Sequence, residues 1–377
     1  MAGVYLHIPF CRKACHYCDF HFSTQSGYVQ DMVDSILQEA RMRREYLVDQ
    51  TVETIYFGGG TPSVLDPDTL KRMIDELRAL FDVKNGVELT IEANPDDLDA
   101  PYLRSLKEAG VNRLSIGVQS FHEDELKRLN RSHTALQSEA SVKRAQDLGL
   151  ENISIDLMYA LPETTRERWL HSLNQAIALQ VPHISAYCLT IESGTVFGSL
   201  KAKGRFSPQD DPVIEQQYQI LCEELSSARF LHYEVSNFAL PGMQSRHNSA
   251  YWTGSHYLGL GPSAHSYNGV GRQWNVRNNH AFMKAIASGE LAAQQETLTA
   301  EDRFNEHLIT RLRTSAGIEK IWFAANAPEK FWSRSEEVRS KWKQFGWTEE
   351  SDSHFRLTES GMLMADQVIT ELMIVPE

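Results

Sequence analysis

Val52-Glu53-Thr54-Ile55-Tyr56-Phe57-Gly58-Gly59-Gly60-Thr61-Pro62, followed by Asp66-Pro67 and then by Leu70, Met73, Ile74, Leu77 and Leu80, contains one whole unit of the fold. The β-branched and aromatic run predicts a strand, and the apolar residues at helical spacing predict a helix that buries one face. Asp66 can accept from the free N–H groups of the helix's first turn. Pro67 then stands at the first helical position, where its missing donor costs nothing. Working outward, similar runs begin near Val4, Val87, Val111, Ile153 and His183. Between them lie further helices: Val29, Val33, Ile36, Leu37 and Ala40 share a face, and Thr164 and Glu167 have capping-box spacing before Leu170, Leu173 and Ile177. Six strands, each followed by a helix, predict a parallel α/β architecture, either an open sheet or a partial barrel.

In such architectures ligands bind at the carboxyl ends of the strands. The unusual residues fall there. Cys11, Cys15 and Cys18 follow the first run and Gly58-Gly59-Gly60-Thr61-Pro62 the second; Glu92, in Ile91-Glu92-Ala93-Asn94-Pro95, ends the third. Gln119 follows the fourth run and Asp156 lies in the fifth.

Five cysteines, three of them within eight residues and the others isolated at Cys188 and Cys222, are too few and too clustered for a disulfide framework. The spacing Cys11-x3-Cys15-x2-Cys18 brings three thiolates together from one loop, the ligand type that iron–sulfur clusters select, and leaves one iron open. Three other readings compete, of which incidental packing is improbable for three cysteines within eight residues. Zinc could take a fourth ligand from His7, His16 or His21, and Cys15 with Cys18 could form a dithiol pair that leaves Cys11 without a role. The glycine loop is neither a dinucleotide fingerprint nor a P-loop; its use would be to let backbone approach a ligand closely.

The remaining sequence narrows the function class. Across 377 residues, 50 acidic side chains against 37 basic ones leave a net charge of −13, which excludes a non-specific nucleic-acid binder. No run of eighteen apolar residues occurs, so no membrane-spanning helix is expected. The opening Met1 to Phe10 lacks the basic and long apolar segments of a secretory leader, which predicts a cytoplasmic protein. Past a polar link near 200–212 comes a loop-rich segment dense in Tyr, Trp, His, Asn and Gly. The last part reads as helices with the short strand ending Phe355-Arg356-Leu357-Thr358. The expected division is 1–230 for the β/α barrel, 231–280 for the loop-rich segment, and 281–377 for a small helical or winged-helix-like domain. From 301 to 377 there are 10 Lys/Arg and 14 Asp/Glu, so a winged helix here would bind DNA poorly.

Taken together, several motifs are distinctive. They are Tyr5-Leu6-His7-Ile8-Pro9-Phe10-Cys11 with Cys15 and Cys18, the Gly58–Pro62 loop, Ile91-Glu92-Ala93-Asn94-Pro95, and Ser115-Ile116-Gly117-Val118-Gln119-Ser120-Phe121. Leu129-Asn130-Arg131, Asp156-Leu157-Met158-Tyr159 and Tyr233-Glu234-Val235-Ser236-Asn237-Phe238 continue the pattern. The set resembles the radical S-adenosylmethionine (SAM) superfamily, in the branch of the oxygen-independent coproporphyrinogen III oxidases, over essentially the whole chain. The resemblance implies a partial (β/α)6 TIM-like barrel with a [4Fe–4S] cluster on Cys11, Cys15 and Cys18, and S-adenosylmethionine on its fourth iron. It implies that Gly59, Gly60 and Thr61 lie along the methionine part, that Glu92 is near its ammonium and that Arg131 pairs with its carboxylate. Gln119 and Asp156 would bond the ribose hydroxyls, with Tyr5 and Tyr17 packed near the cofactor.

Two departures from the oxidases stand out. Where those enzymes carry a further cysteine, this chain has Phe20, and only ten residues precede Cys11. His247-Asn248-Ser249-Ala250-Tyr251-Trp252 fits the HNxxYW pattern of the haem chaperones that resemble the oxidases. Haem is thus implied as a bound group with His247 as its axial ligand, while His256 and His265 supply a second ligand or merely line the loop. The function so implied is delivery of haem to recipient proteins, respiratory ones foremost, with transient membrane contact. The alternative is porphyrinogen decarboxylation by an oxidase. A homodimer is left open.

Overall fold

The computed structural model describes residues 2–47, 51–328 and 331–374. Strands β1 (Ala2–Ile8), β2 (Thr51–Gly59), β3 (Asp82–Ala93), β4 (Arg113–Gln119), β5 (Ile153–Tyr159) and β6 (His183–Cys188) lie side by side in chain order, all parallel. The returning helices are α1 (Val29–Met42), α2 (Pro67–Leu80), α3 (Ala100–Glu108), α4 (Glu123–Arg128), α5 (Ala135–Asp147), α6 (Arg166–Ala178), α7 (Val196–Ala202) and α8 (Asp211–Ser227). Cap chemistry sets their starts. Asp66 accepts from the Thr69 amide with Pro67 next in line. At α6 the cap is Thr165, one residue later than the capping-box spacing of Thr164 and Glu167 implies, because the Thr164 hydroxyl is taken by buried Glu125 at 2.6 Å.

Each strand divides its side chains between two faces. Leu6, Ile55, Phe57, Leu89, Ile91, Leu114, Ile116, Ile155 and Ile184 are fully buried on one face and join α1, α2 and α3 in a continuous core. The other face carries Thr54, Tyr56, Glu88, Glu92, Ser115, Asp156 and Ser185, which bond to one another or to groups held inside the curve of the sheet.

The segment 231–280 is not loop-rich. It extends the sheet on both sides, beyond β6 and beyond β1. β7 (Leu231–Glu234) and β8 (Asn237–Ala239) form a hairpin against β6. After α9 (Arg246–Trp252), β9 (His256–Leu260) runs parallel to β1, pairing Ala2 with His256. β10 (His265–Tyr267) and β11 (Gly271–Asn275) then continue antiparallel. The sheet also passes the division at 280: following α10 (Asn279–Ala287), β12 (Ala293–Thr297) forms its twelfth strand.

The C-terminal module begins with α11 (Ala300–Leu312) and continues through β13 (Ile318–Glu319), α12 (Lys320–Asn326), α13 (Trp332–Gln344), β14 (Thr348–Glu350) and β15 (His354–Leu357). Its three strands pair in the order β13-β15-β14, the winged-helix arrangement. α14 (Glu359–Leu363) and α15 (Ala365–Leu372) follow, the latter burying Val368, Ile369 and Leu372. Among the described residues no helix is long and apolar enough to cross a membrane.

Candidate cofactor site

At the carboxyl ends of β1 to β6 opens a cavity of about 440 Å³. It is lined by Cys11, Cys15, Tyr17, Cys18, Gly59, Gly60, Thr61, Glu92, Gln119, Arg131 and Asp156 together. The cysteine loop is held from both sides. Ser23 accepts from the Cys11 amide at 3.0 Å and donates to Pro9 at 2.8 Å, closing the loop at its base. Across the barrel, the Leu129 carbonyl accepts from the His16 amide, and Asn130 donates to Ala14 at 2.7 Å. The Thr61 hydroxyl donates to Cys11 Sγ at 3.3 Å and Arg131 Nη1 to Cys15 Sγ at 3.4 Å.

The glycines are required by close packing. A Cβ at Gly58 would lie 2.8 Å from Glu92 Oε1, and one at Gly60 would lie 2.6 Å from the Ile8 carbonyl. Gly59 has φ of +98° and would strike the His7 ring at 2.4 Å. The loop is therefore a fitted cradle, not a flexible turn.

Charge in the cavity is unbalanced. Burial pushes the Cys11 thiol up to about 12 and Cys18 up to about 11. Glu92 accepts from Tyr56 at 2.8 Å and from the Gly59 amide at 3.2 Å, yet burial still raises it to about 7. Burial likewise raises Asp156 to about 6. Arg131 donates to Gly117 and Asn94, but its Nε is buried with no partner. Thiols short of a cation, carboxylates short of a donor and a guanidinium short of an acceptor fit a cationic cluster with an aminocarboxylate ligand. Asn94 and Tyr56, which brace Arg131 and Glu92, were not singled out in the sequence; their signal is only their position beside residues that were.

The alternatives for the cysteines fare less well. Among the described residues, the three ligand atoms within 4.8 Å of one another belong to Cys222, His232 and Glu359, near the C-terminal module. The three clustered thiols are spread more widely than one tetrahedral zinc would hold them. His16 Nδ1 is bound to the Arg128 carbonyl, while His7 and His21 line a different cavity.

Two expected site residues lie elsewhere. Tyr5 does not line the cofactor cavity: its ring lies beside those of Tyr56 and His247, and its hydroxyl meets His7 Nδ1 at 3.2 Å. His247 is 3% exposed and fills the opposite end of the barrel, in the gap left by Gly3. Its Nδ1 is 2.8 Å from the Thr54 hydroxyl and its Nε2 3.0 Å from that of Tyr251, and its ring stacks on Tyr56 at 4.9 Å. Glu88 accepts from the Arg246 and His247 amides, pinning the start of α9. Both imidazole nitrogens of His247 are thus engaged, and neither is presented to an iron. Burial pushes this imidazole down to about 3, so it is neutral.

Residues 5–176 match the family model described as the Radical SAM superfamily. The protein named Heme chaperone HemW of Bacillus subtilis is 36% identical over 371 residues, 98% of both chains. The chain belongs to the HemW family. Heme chaperone HemW of Escherichia coli is 34% identical over 97% of each chain. Mouse radical S-adenosyl methionine domain-containing protein 1, mitochondrial, is 32% identical over 97% of this chain and 82% of its own. The HemW-family fold is also that of E. coli coproporphyrinogen III oxidase (HemN), a solved structure matching 98% of this chain and 89% of its own with a TM-score of 0.85 at 21% identity.

Proposed function

We propose that the chain is a haem chaperone. It holds a [4Fe–4S] cluster on Cys11, Cys15 and Cys18 with S-adenosylmethionine at the open iron, binds haem as cargo, and passes the haem to recipient proteins. The observation that carries this reading is the HemW-family match along the whole chain. Arg131 offers a planar fork to the methionine carboxylate, Glu92 an anion to its ammonium, and Gln119 and Asp156 acceptors to the ribose. Gln119 is set by a left-handed backbone, φ +68°, that turns it back over the end of β4. Bound S-adenosylmethionine supplies one-electron cleavage chemistry; the chain's own part is to hold it and exclude water. Respiratory haem proteins are the proposed recipients, reached from the cytoplasm by transient membrane contact.

The test uses anaerobically reconstituted protein. Iron and sulfide analysis should find four of each per chain. Ferric haem should bind stoichiometrically and move to an added apo haem protein, and coproporphyrinogen III should be left unchanged. Turnover of coproporphyrinogen without haem binding would replace this reading with that of an oxidase.

A further inference from the structure

A second cavity, of about 350 Å³, adjoins the cofactor cavity, with Asp19 and Phe20 as a common wall. Its lining combines the rings of Tyr251, Tyr257 and Phe20 with one guanidinium, Arg277, and three histidines. The histidines differ in what they have left to offer. His7 uses both nitrogens, Nδ1 toward Tyr5 and Nε2 on the His21 carbonyl at 2.8 Å. His21 Nε2 donates to Asn279 at 2.6 Å. His265 is exposed and, among the described residues, has no hydrogen-bond partner at either nitrogen; its ring is backed by Trp274, with centroids 6.3 Å apart and planes 24° apart.

We propose that this cavity receives haem and that His265, not His247, is the iron ligand. The inference rests on the haem-chaperone reading and locates the cargo. An unbonded imidazole is a haem ligand without rearrangement, whereas His247 would first have to surrender Tyr251 or Thr54. Aromatic walls suit the faces of a macrocycle, and Arg277 suits its propionates. Phe20 is 68% exposed at the boundary of the two cavities, an apolar ring that bound haem would cover. The HNxxYW motif then acts at one remove. His247, fixed in the barrel floor, holds the Tyr251 hydroxyl, and Tyr251 lines the cavity. His247 is on this view a positioning residue.

The experiment is a ferric haem titration of the reconstituted wild type, His265→Ala and His247→Gln, followed by Soret absorbance and electron paramagnetic resonance. S-adenosylmethionine binding serves as the check on folding. His265→Ala is expected to bind S-adenosylmethionine normally, lose the histidine-ligated haem spectrum, and regain it when free imidazole is added. His247→Gln is expected to keep that spectrum with affinity reduced by about tenfold, as for an outer-shell support. Wild-type spectrum and affinity in His265→Ala, together with loss of histidine ligation in His247→Gln, would overturn the assignment. Failure of the wild type itself to bind haem would overturn the chaperone reading as well.

Discussion

Glu88 and Glu92 stand four residues apart on the inner face of β3, the same side chain on the same strand, and the two ends of the barrel use them oppositely. Glu88 is closed: each oxygen accepts from an amide at the start of α9. Glu92 faces a cavity, accepts only from a phenol and one amide, and is driven by burial toward the neutral form. Burial of a carboxylate is therefore no mark of function by itself. The difference lies in whether the surrounding donors complete its shell or leave it waiting for a ligand.

Substitutions at the two ends should separate these roles. The largest effect is expected from Cys15→Ala, which takes away one of the three thiols proposed to hold the cluster: iron and sulfide content should fall to near zero and S-adenosylmethionine binding with it, while the far-ultraviolet spectrum persists. Retention of a full cluster would show that the loop is not its holder. Next is the pair on β3. Glu88→Ala orphans two buried amides and frees α9, a loss of roughly 2–4 kcal/mol by urea unfolding. Glu92→Gln should change stability by less than about 1 kcal/mol near pH 5, where Glu92 is protonated in the fold and Gln mimics it, yet weaken S-adenosylmethionine binding at neutral pH by roughly a hundredfold, the cost of an ion pair lost in a dry site. If Glu92→Gln proved the destabilised variant and Glu88→Ala the one that lost the cofactor, the contrast would be reversed. A smaller effect is expected for Gly59→Ala. Strain at φ +98° and contact with His7 should cost about 1–3 kcal/mol and reach both cavities, because His7 walls the second.

The top of the barrel was legible in sequence because β/α order places strand ends together whatever the details. Cys11, Gly59, Glu92, Gln119 and Asp156 needed only their strands to be recognised. Tyr5 was not placed by the same logic. It lies on β1, but β9 adds a neighbour on the far side and makes a second cavity there. That pairing joins Ala2 to His256, and local patterning carries no trace of so distant a partner; the same gap made 231–280 look like loops. His247 was legible as a motif and illegible as a position, since what admits it is the missing side chain of Gly3. The winged-helix module was readable only in outline, its β13 being two residues long.

The two ends also separate by pH. Glu92, raised from the usual 4.5 to about 7, stabilises the cofactor-free fold when protonated. That contribution is complete below pH 4.5 and lost as pH rises through 7. His247, lowered from 6.5 to about 3, contributes in the opposite sense, fully above pH 6.5 and progressively less as pH falls toward 3. The slopes of these two groups oppose one another between pH 4.5 and 6.5, each limited to about 1.4 kcal/mol per pH unit. Glu92→Gln should remove the loss on the alkaline side, making the variant's stability rise relative to wild type between pH 5 and 7.5. Bound S-adenosylmethionine should abolish that difference in the wild type's disfavour, because its ammonium gives the charged carboxylate the partner it lacks. Unfolding midpoints measured across this range, with and without S-adenosylmethionine, test both halves. A Glu92→Gln difference that stays constant with pH would mean that Glu92 is charged throughout, and that the two ends of β3 are less unlike than their hydrogen bonds indicate.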